Sequence, residues 1–276
     1  MPEGDTILRA ARTMHRALAG RRVAAARAPM LPGAGESLAG RTVAGVAARG
    51  KNLLVQFDDG SALRTHMRMT GSWHLYRPGE RWRKPGSLAR VVLETDAWVA
   101  VCFSAPVVEL LRAGEAERHE ALSSLGPDIL GETFDYAEAV RRLLALGETP
   151  LGEAVLAQRA VAGIGNIYKS ETLFLVREDP FAPVGSVDEK RLARLLARAR
   201  ELMRSALGST PRATRPTMSR SRDPGARTWV YRREGGPCRR CGTEIRMRRQ
   251  GLDRRSTYWC PKCQAPGRGT EHVSDR

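Results

Sequence analysis

Two groups of residues in this 276-residue chain could do chemistry by their type and spacing. The first is Met1-Pro2-Glu3-Gly4-Asp5. Removal of Met1 would leave a secondary amine at Pro2. Attack by that amine on the anomeric carbon of a sugar gives an iminium directly, the Schiff-base chemistry otherwise run by an activated lysine. Glu3 stands next to it as an acid or base. An α-amine ordinarily titrates at about 8. A helix with Asp5 as N-cap, followed by Leu8, Ala11 and Leu18, would bring its positive pole close and disfavour the protonated amine. Many unrelated chains begin Met-Pro, so the dipeptide alone decides nothing.

The second group is Cys238-x2-Cys241-x18-Cys260-x2-Cys263. This is the spacing of a four-thiolate zinc site made from two knuckles on a β-hairpin, and in an intracellular chain it favours metal over disulfides. With every position filled by protein, one Zn2+ would be structural, replacing a core that so short a segment cannot bury. The fifth cysteine, Cys102, lies between Val101 and Phe103 and reads as a small buried hydrophobe. His15, His66, His74, His119 and His272 show no ligand spacing.

Charge points to the partner. Lys and Arg number 46 against 30 Asp and Glu, a net +16, which implies a polyanion. Apart from Lys51, Lys84, Lys169, Lys190 and Lys262 the cations are arginines, which suit bidentate phosphate contacts. Arg246, Arg248, Arg249, Arg254 and Arg255 lie between the knuckles, and Arg239 and Arg240 lie within the first one. A solvated charged face is the plain alternative; a rigid basic hairpin is also well made for a phosphate-lined groove. There is no signal-peptide pattern and no apolar run near the roughly 18 residues of a membrane span, so a soluble, intracellular protein is expected.

The elements that must position these residues follow from periodicity. After a helix over residues 5–19, short apolar runs punctuated by Gly and Pro extend from Arg21 to Phe103 and predict a β-rich unit. Asp58-Asp59-Gly60 reads as a hairpin turn, and Lys51, just after Gly50, stands at the mouth of a strand. From about Leu110 the texture becomes helical, with helices over 134–146, 151–158, 165–176 and 187–207 and a boundary near 110–120. Gly163-Ile164-Gly165-Asn166 breaks that texture. The break is either an ordinary helical corner or a set of backbone amides ready for phosphate. Residues 208–226 read as a basic linker, and the tail from Gly267 as frayed.

Met-Pro-Glu-Gly-Asp, Arg49-Gly50-Lys51, Gly163-Ile164-Gly165-Asn166-Ile167-Tyr168 and Arg255-Ser256-Thr257-Tyr258-Trp259-Cys260 together, in this order, resemble one family. It is the bifunctional DNA glycosylases comprising formamidopyrimidine-DNA glycosylase and endonuclease VIII, and the resemblance spans residues 2–263. It implies an α+β chain: an N-terminal β-sandwich with flanking helices over 1–115, a helix-two-turns-helix domain with its linker over 116–226, a zinc-finger hairpin over 227–265 and a tail over 266–276.

The resemblance also implies roles. Pro2 would be the Schiff-base nucleophile and Glu3 its acid/base. Lys51 would contact phosphates flanking the lesion, Asn166 would bind backbone phosphate, and Arg255 would grip the phosphate beside an extruded nucleotide. Base flipping leaves a gap in the stack. Met69, in His66-Met67-Arg68-Met69-Thr70-Gly71, stands where the family inserts an apolar wedge, with Arg68 beside it toward the orphaned base; Met69 could equally be core filler. The Arg-Arg-Phe-Gly-like loop of the formamidopyrimidine branch is missing after Val101-Cys102-Phe103-Ser104-Ala105-Pro106. Gly4-Asp5-Thr6 and Trp229-Val230-Tyr231 also look more like endonuclease VIII, whereas Ser124 stands where some of its members have a DNA-binding arginine. The expected activity is that of a monomeric bacterial, cytoplasmic, nucleoid-associated glycosylase and lyase. It would excise oxidised pyrimidines from damaged, double-stranded DNA with β,δ-elimination. The alternatives are an oxidised-purine enzyme and a catalytically silent zinc-containing DNA binder.

Overall fold

The computed structural model describes residues 2–208 and 227–266. The linker beyond Gly208, the tail from Gly267 and His272 lie outside these. The chain forms two compact units, Met1–Ser124 and Leu125–Arg276.

The first unit opens with helix α1 (Gly4–Leu18), which buries Ile7, Ala11, Met14, Ala17 and Leu18 at helical spacing. Its N-cap is Glu3, not Asp5. Glu3 is extended (φ −120°, ψ 179°) and its carbonyl accepts from the Thr6 and Ile7 amides at 2.9 and 3.1 Å. Asp5 sits inside the first turn, where it acts on the helix dipole rather than as a cap. Next come β1 (Ala25–Arg27), α2 (Ala34–Leu38), β2 (Val43–Arg49), β3 (Asn52–Phe57), β4 (Ala62–His66), β5 (Ser72–Tyr76), β6 (Ala89–Glu94), β7 (Val99–Phe103) and β8 (Val107–Leu111). They form two four-stranded antiparallel sheets, ordered β1-β6-β7-β5 and β2-β3-β4-β8. Two single-turn helices, α3 (Glu115–Arg118) and α4 (Glu120–Ser123), close the unit.

Alternation accounts for the layers. Leu53, Val55 and Phe57 of β3 enter the core shared with α1, as do Ala100 and Cys102 of β7. Val99, Val101 and Phe103 of β7 face the other way, into a smaller cluster with Tyr76, Val92 and Trp82. Both faces of β7 are therefore covered. Cys102 is fully buried, and burial pushes its thiol up to about 12. One strand lies beyond the run of apolar segments that the sequence marks as β-rich, which stops at Phe103. Val107–Leu111 completes the second sheet against β4, because two β-branched residues beside an open strand edge gain more from pairing than from a helical turn.

The second unit is helical up to residue 207, with α5 (Tyr136–Leu144), α6 (Leu151–Ala154), α7 (Asn166–Leu175) and α8 (Glu189–Leu207). Asp135 and Asp188 cap α5 and α8, accepting from the Glu138 and Arg191 amides at 2.9 and 2.8 Å. Leu192, Leu195, Leu196, Ala199 and Met203 of α8 pack with Leu143, Leu151, Ile164 and Tyr168. The antiparallel hairpin of β9 (Arg246–Gln250) and β10 (Arg255–Trp259) follows.

Candidate functional site

The four cysteines converge. Their sulfurs lie within 4.8 Å of one another, with Cys238 to Cys263 at 3.9 Å and Cys241 to Cys260 at 3.5 Å. Zinc–sulfur bonds of about 2.3 Å in a tetrahedron require sulfurs about 3.8 Å apart. Amides of Arg240 and Cys263 point at the sulfurs of Cys238 and Cys260, at 3.4 Å each. Burial and the neighbouring thiols push Cys263 up, the penalty that a dication removes. The donor set fits one closed, structural zinc.

The finger is fastened to α7 and the segment after it by buried polar groups that sequence reasoning missed. Glu171 is wholly buried and its carboxylate accepts from the Trp229, Val230 and Tyr231 amides at 2.7, 2.9 and 2.8 Å. Lys169, 1% exposed, donates to the Ser256 carbonyl at 3.1 Å and the Thr257 hydroxyl at 2.7 Å. Gln264 donates to the Glu178 carbonyl at 2.9 Å. A signal existed: Lys169-Ser170-Glu171-Thr172 puts polar residues on every side of a short helix, and such a helix inside a unit must bury some of them.

Asn166 and Arg255 come together in this unit. Asn166 is the first residue of α7, and Gly163 (φ 103°) supplies the left-handed break before it. Its side-chain amide donates to the Ser256 hydroxyl at 3.0 Å, and its buried oxygen has no hydrogen-bond partner among the described residues. Ser256 adjoins Arg255, whose guanidinium lies 3.3 Å from Asp253. The first turn of α7 is thus tied to the strand that carries an arginine head, a geometry suited to phosphate.

In the first unit, Lys51, Arg68 and Met69 gather at one end of one sheet. Gly50 and Lys51 form the two-residue turn between β2 and β3, with Arg49 paired to Asn52 and Gly50 at φ 58°. Asn52 pairs with His66 at the end of β4, which leads into the loop that carries Arg68 and Met69. His66 is pushed down to about 4 by burial first, then by Arg64, Lys51 and Arg68. The loop is tight: the Gly71 amide returns to the Met67 carbonyl at 2.8 Å, and Thr70 donates to the Ser104 carbonyl at 2.9 Å. A Cβ at Gly71 would meet Met67 at 2.8 Å. Met67 is the core residue, 3% exposed; Met69 is 62% exposed, so it is not filler. Arg68 beside it is exposed with φ 42°.

Glu3, at the positive end of α1, is fully buried and Pro2 half-buried. Ser124 is exposed and its hydroxyl turns back to the Glu120 carbonyl at 2.6 Å. Among the described helices none is long and apolar enough to cross a membrane.

Comparison with known proteins gives three matching family models. The formamidopyrimidine-DNA glycosylase N-terminal domain matches residues 1–106, the formamidopyrimidine-DNA glycosylase H2TH domain residues 125–215, and the zinc finger found in FPG and IleRS residues 235–266. The chain is 43% identical over 268 residues to a probable endonuclease 8 2 of Streptomyces coelicolor, covering 96% of this chain and 94% of that one. It is 36% identical to a DNA-(apurinic or apyrimidinic site) lyase Nei2 of Mycolicibacterium smegmatis, covering 96% and 99%. The solved MutM (Fpg) protein from Thermus thermophilus superposes with a TM-score of 0.77 at 29% identity, over 96% of this chain and 100% of that one.

Proposed function

The chain belongs to the family of formamidopyrimidine-DNA glycosylase and endonuclease VIII, and from that premise we propose that it is a bifunctional DNA glycosylase and abasic-site lyase of base excision repair that removes oxidised pyrimidines. It works as a monomer on damaged duplex DNA in the bacterial cytoplasm, at the nucleoid. Residues 1–115 carry the chemistry, and the described parts of 116–226 and 227–265 hold the backbone; the linker and tail expected over 208–226 and 266–276 lie almost wholly outside the described residues.

In this reading the Pro2 nitrogen bonds to C1′ of a flipped nucleotide as the glycosidic bond breaks, and that bond's electron pair leaves with the base. Glu3 supplies a proton for base departure and ring opening. The nitrogen gives up its own proton, and the lone pair so restored expels the ring oxygen from C1′, giving the iminium, which acidifies C2′. Loss of a C2′ proton breaks the bond to the 3′ phosphate, and a second elimination breaks the bond to the 5′ phosphate. Hydrolysis returns the free amine. Lys51 and Arg255 hold the flanking phosphates while they become leaving groups, and Asn166 holds the backbone. Met69 fills the vacated space and Arg68 faces the orphaned base.

The observation that carries this reading is Glu3. A carboxyl group with 0% exposure is costly to bury, and this one lies at a helix N-terminus, next to the residue type whose terminal amine is secondary. Preference for pyrimidines rests on the β7–β8 connection, which consists of only Ser104, Ala105 and Pro106, with Ala105 buried. That turn carries no arginine to contact a base.

Borohydride reduction in the presence of duplex bearing dihydrouracil or thymine glycol should give a covalent complex whose peptide map puts the adduct on Pro2. An adduct elsewhere, or a retained Met1 in an active protein, rules the mechanism out. Preferential cleavage of 8-oxoguanine or formamidopyrimidine duplexes would move the chain to the purine branch, and absence of any adduct would leave a silent binder.

A further inference from the structure

Leu252 is the most exposed large apolar side chain among the described residues, at 104% of its reference area, where Met30, Met69, Leu88 and Tyr136 range from 36% to 62%. It stands at the tip of the β9–β10 hairpin, in the loop Gly251–Arg254 closed by the Gln250–Arg255 pair. This loop is fixed. Gly251 (φ 67°) and Arg254 (φ 48°) take left-handed conformations, and the Arg254 amide returns to the Gly251 carbonyl at 3.0 Å. A Cβ at Gly251 would lie 2.9 Å from the Glu153 carboxylate, so the loop is seated on α6. Gln250 below it is buried and donates to the Pro180 carbonyl at 3.1 Å. A leucine is thus projected into solvent by a tip that cannot fold back over it.

Its surroundings are cationic. Arg248, Arg249, Arg254 and Arg255 flank it, and the one acid in the loop, Asp253, is engaged with Arg255. Intact duplex offers such a tip phosphates, which the arginines satisfy and a leucine cannot. Unstacked DNA offers something further: the bare face of a base, with a sugar beside it no longer covered by its stacked neighbour. We propose that Leu252 is a specificity-determining contact, packing against the deoxyribose and base face exposed beside the phosphate that Arg255 holds. It thereby separates flipped or abasic sites from intact duplex. This rests on the repair-enzyme reading of the same surface.

The test is fluorescence anisotropy with wild type and Leu252→Ala on two duplexes, one undamaged and one with a tetrahydrofuran abasic analogue, at two salt concentrations. Truncation should weaken binding to the abasic duplex by about tenfold, the loss expected for roughly two buried methylenes. Binding to undamaged duplex should change by less than about twofold, and the salt dependence should stay as in wild type because no phosphate contact is lost. Leu252→Met should recover most of the preference. A ratio of the two Kd values that moves by less than about threefold overturns the assignment, as does an equal loss on both duplexes. Borohydride trapping by the wild type is read in parallel. If the wild type traps and the ratio does not move, only the role of Leu252 fails; if it neither traps nor prefers the abasic duplex, the repair-enzyme reading fails with it.

Discussion

Met69 and Leu252 are both apolar side chains held in water just beyond the end of a paired strand, one in each unit, and the chain holds them by different means. Under Met69 lies ordinary apolar packing: Met67 is buried in the sandwich core and Gly71 closes onto its carbonyl. Under Leu252 the support is a metal site and buried polar groups, Gln250 on Pro180, Lys169 on Ser256 and Thr257, Glu171 on three amides. Apolar support is spread over many residues and weakens gradually. Metal and buried charge are concentrated in a few atoms and fail together.

Removing the metal should separate the two supports most sharply. Chelation, or Cys260→Ser, should free the finger and reduce affinity for abasic duplex by more than about a hundredfold, since structural zinc supplies the folding energy of so small a unit. Hydrogen exchange would check this. Amides of β9 and β10 should lose protection while those of β3, β4 and β7 keep it. Loss of protection in the sandwich as well would show that the two supports are not separate.

Glu171→Ala comes next. It leaves three amides without their acceptor and should destabilise finger docking by about 3–5 kcal/mol, read by denaturant unfolding followed at Trp229. Zinc content should stay at one per chain, because none of the four thiols is touched. In the sandwich, Leu53→Ala removes a fully buried side chain and should cost about 3 kcal/mol through lost burial and a cavity. Trapping by borohydride should persist in this variant well below its lowered Tm. The pair of variants tests whether stability and finger placement are separate properties.

Much of this is legible in the amino-acid sequence. The Cys238-Cys241-Cys260-Cys263 spacing specifies a metal geometry, and the apolar runs of β3 and β7 specify covered strands, because both signals are local in the chain. Lys51 can be placed at the mouth of a strand from its position just after Gly50, though not in the two-residue turn that the pairing of Arg49 with Asn52 makes. Three features are not legible. Capping preference favours aspartate and points to Asp5, while the backbone bends earlier, at Glu3. Strand β8 needs a distant partner, Glu109 pairing with Arg64, and no periodicity within the strand announces it. The polar run around Lys169 and Glu171 signals that some of it must be buried, but which charges are buried, and under what, is decided only when the finger covers them. Burial of a charge is decided by tertiary neighbours, and the sequence names only the residue.

The smallest effect concerns His66, where the sandwich has its own half-buried polar group near Lys51 and Arg68. Burial, reinforced by Arg64, Lys51 and Arg68, holds this imidazole at about 4 against 6.5 for an unperturbed histidine. The unfolded chain therefore binds a proton more readily than the folded one between those values. Stability from this group is fully present above about 6.5 and is lost as pH falls toward about 4. Near pH 5.5 the loss should be about 1 kcal/mol, allowing for solvent screening of a half-buried ring. His66→Asn should flatten that part of the curve without changing stability at neutral pH by a comparable amount. NMR titration of the ring gives the direct check. A midpoint near 6.5 would mean that the cations and burial at this end of the sheet do not act on it, and that Lys51 is not held beside the loop bearing Arg68 and Met69.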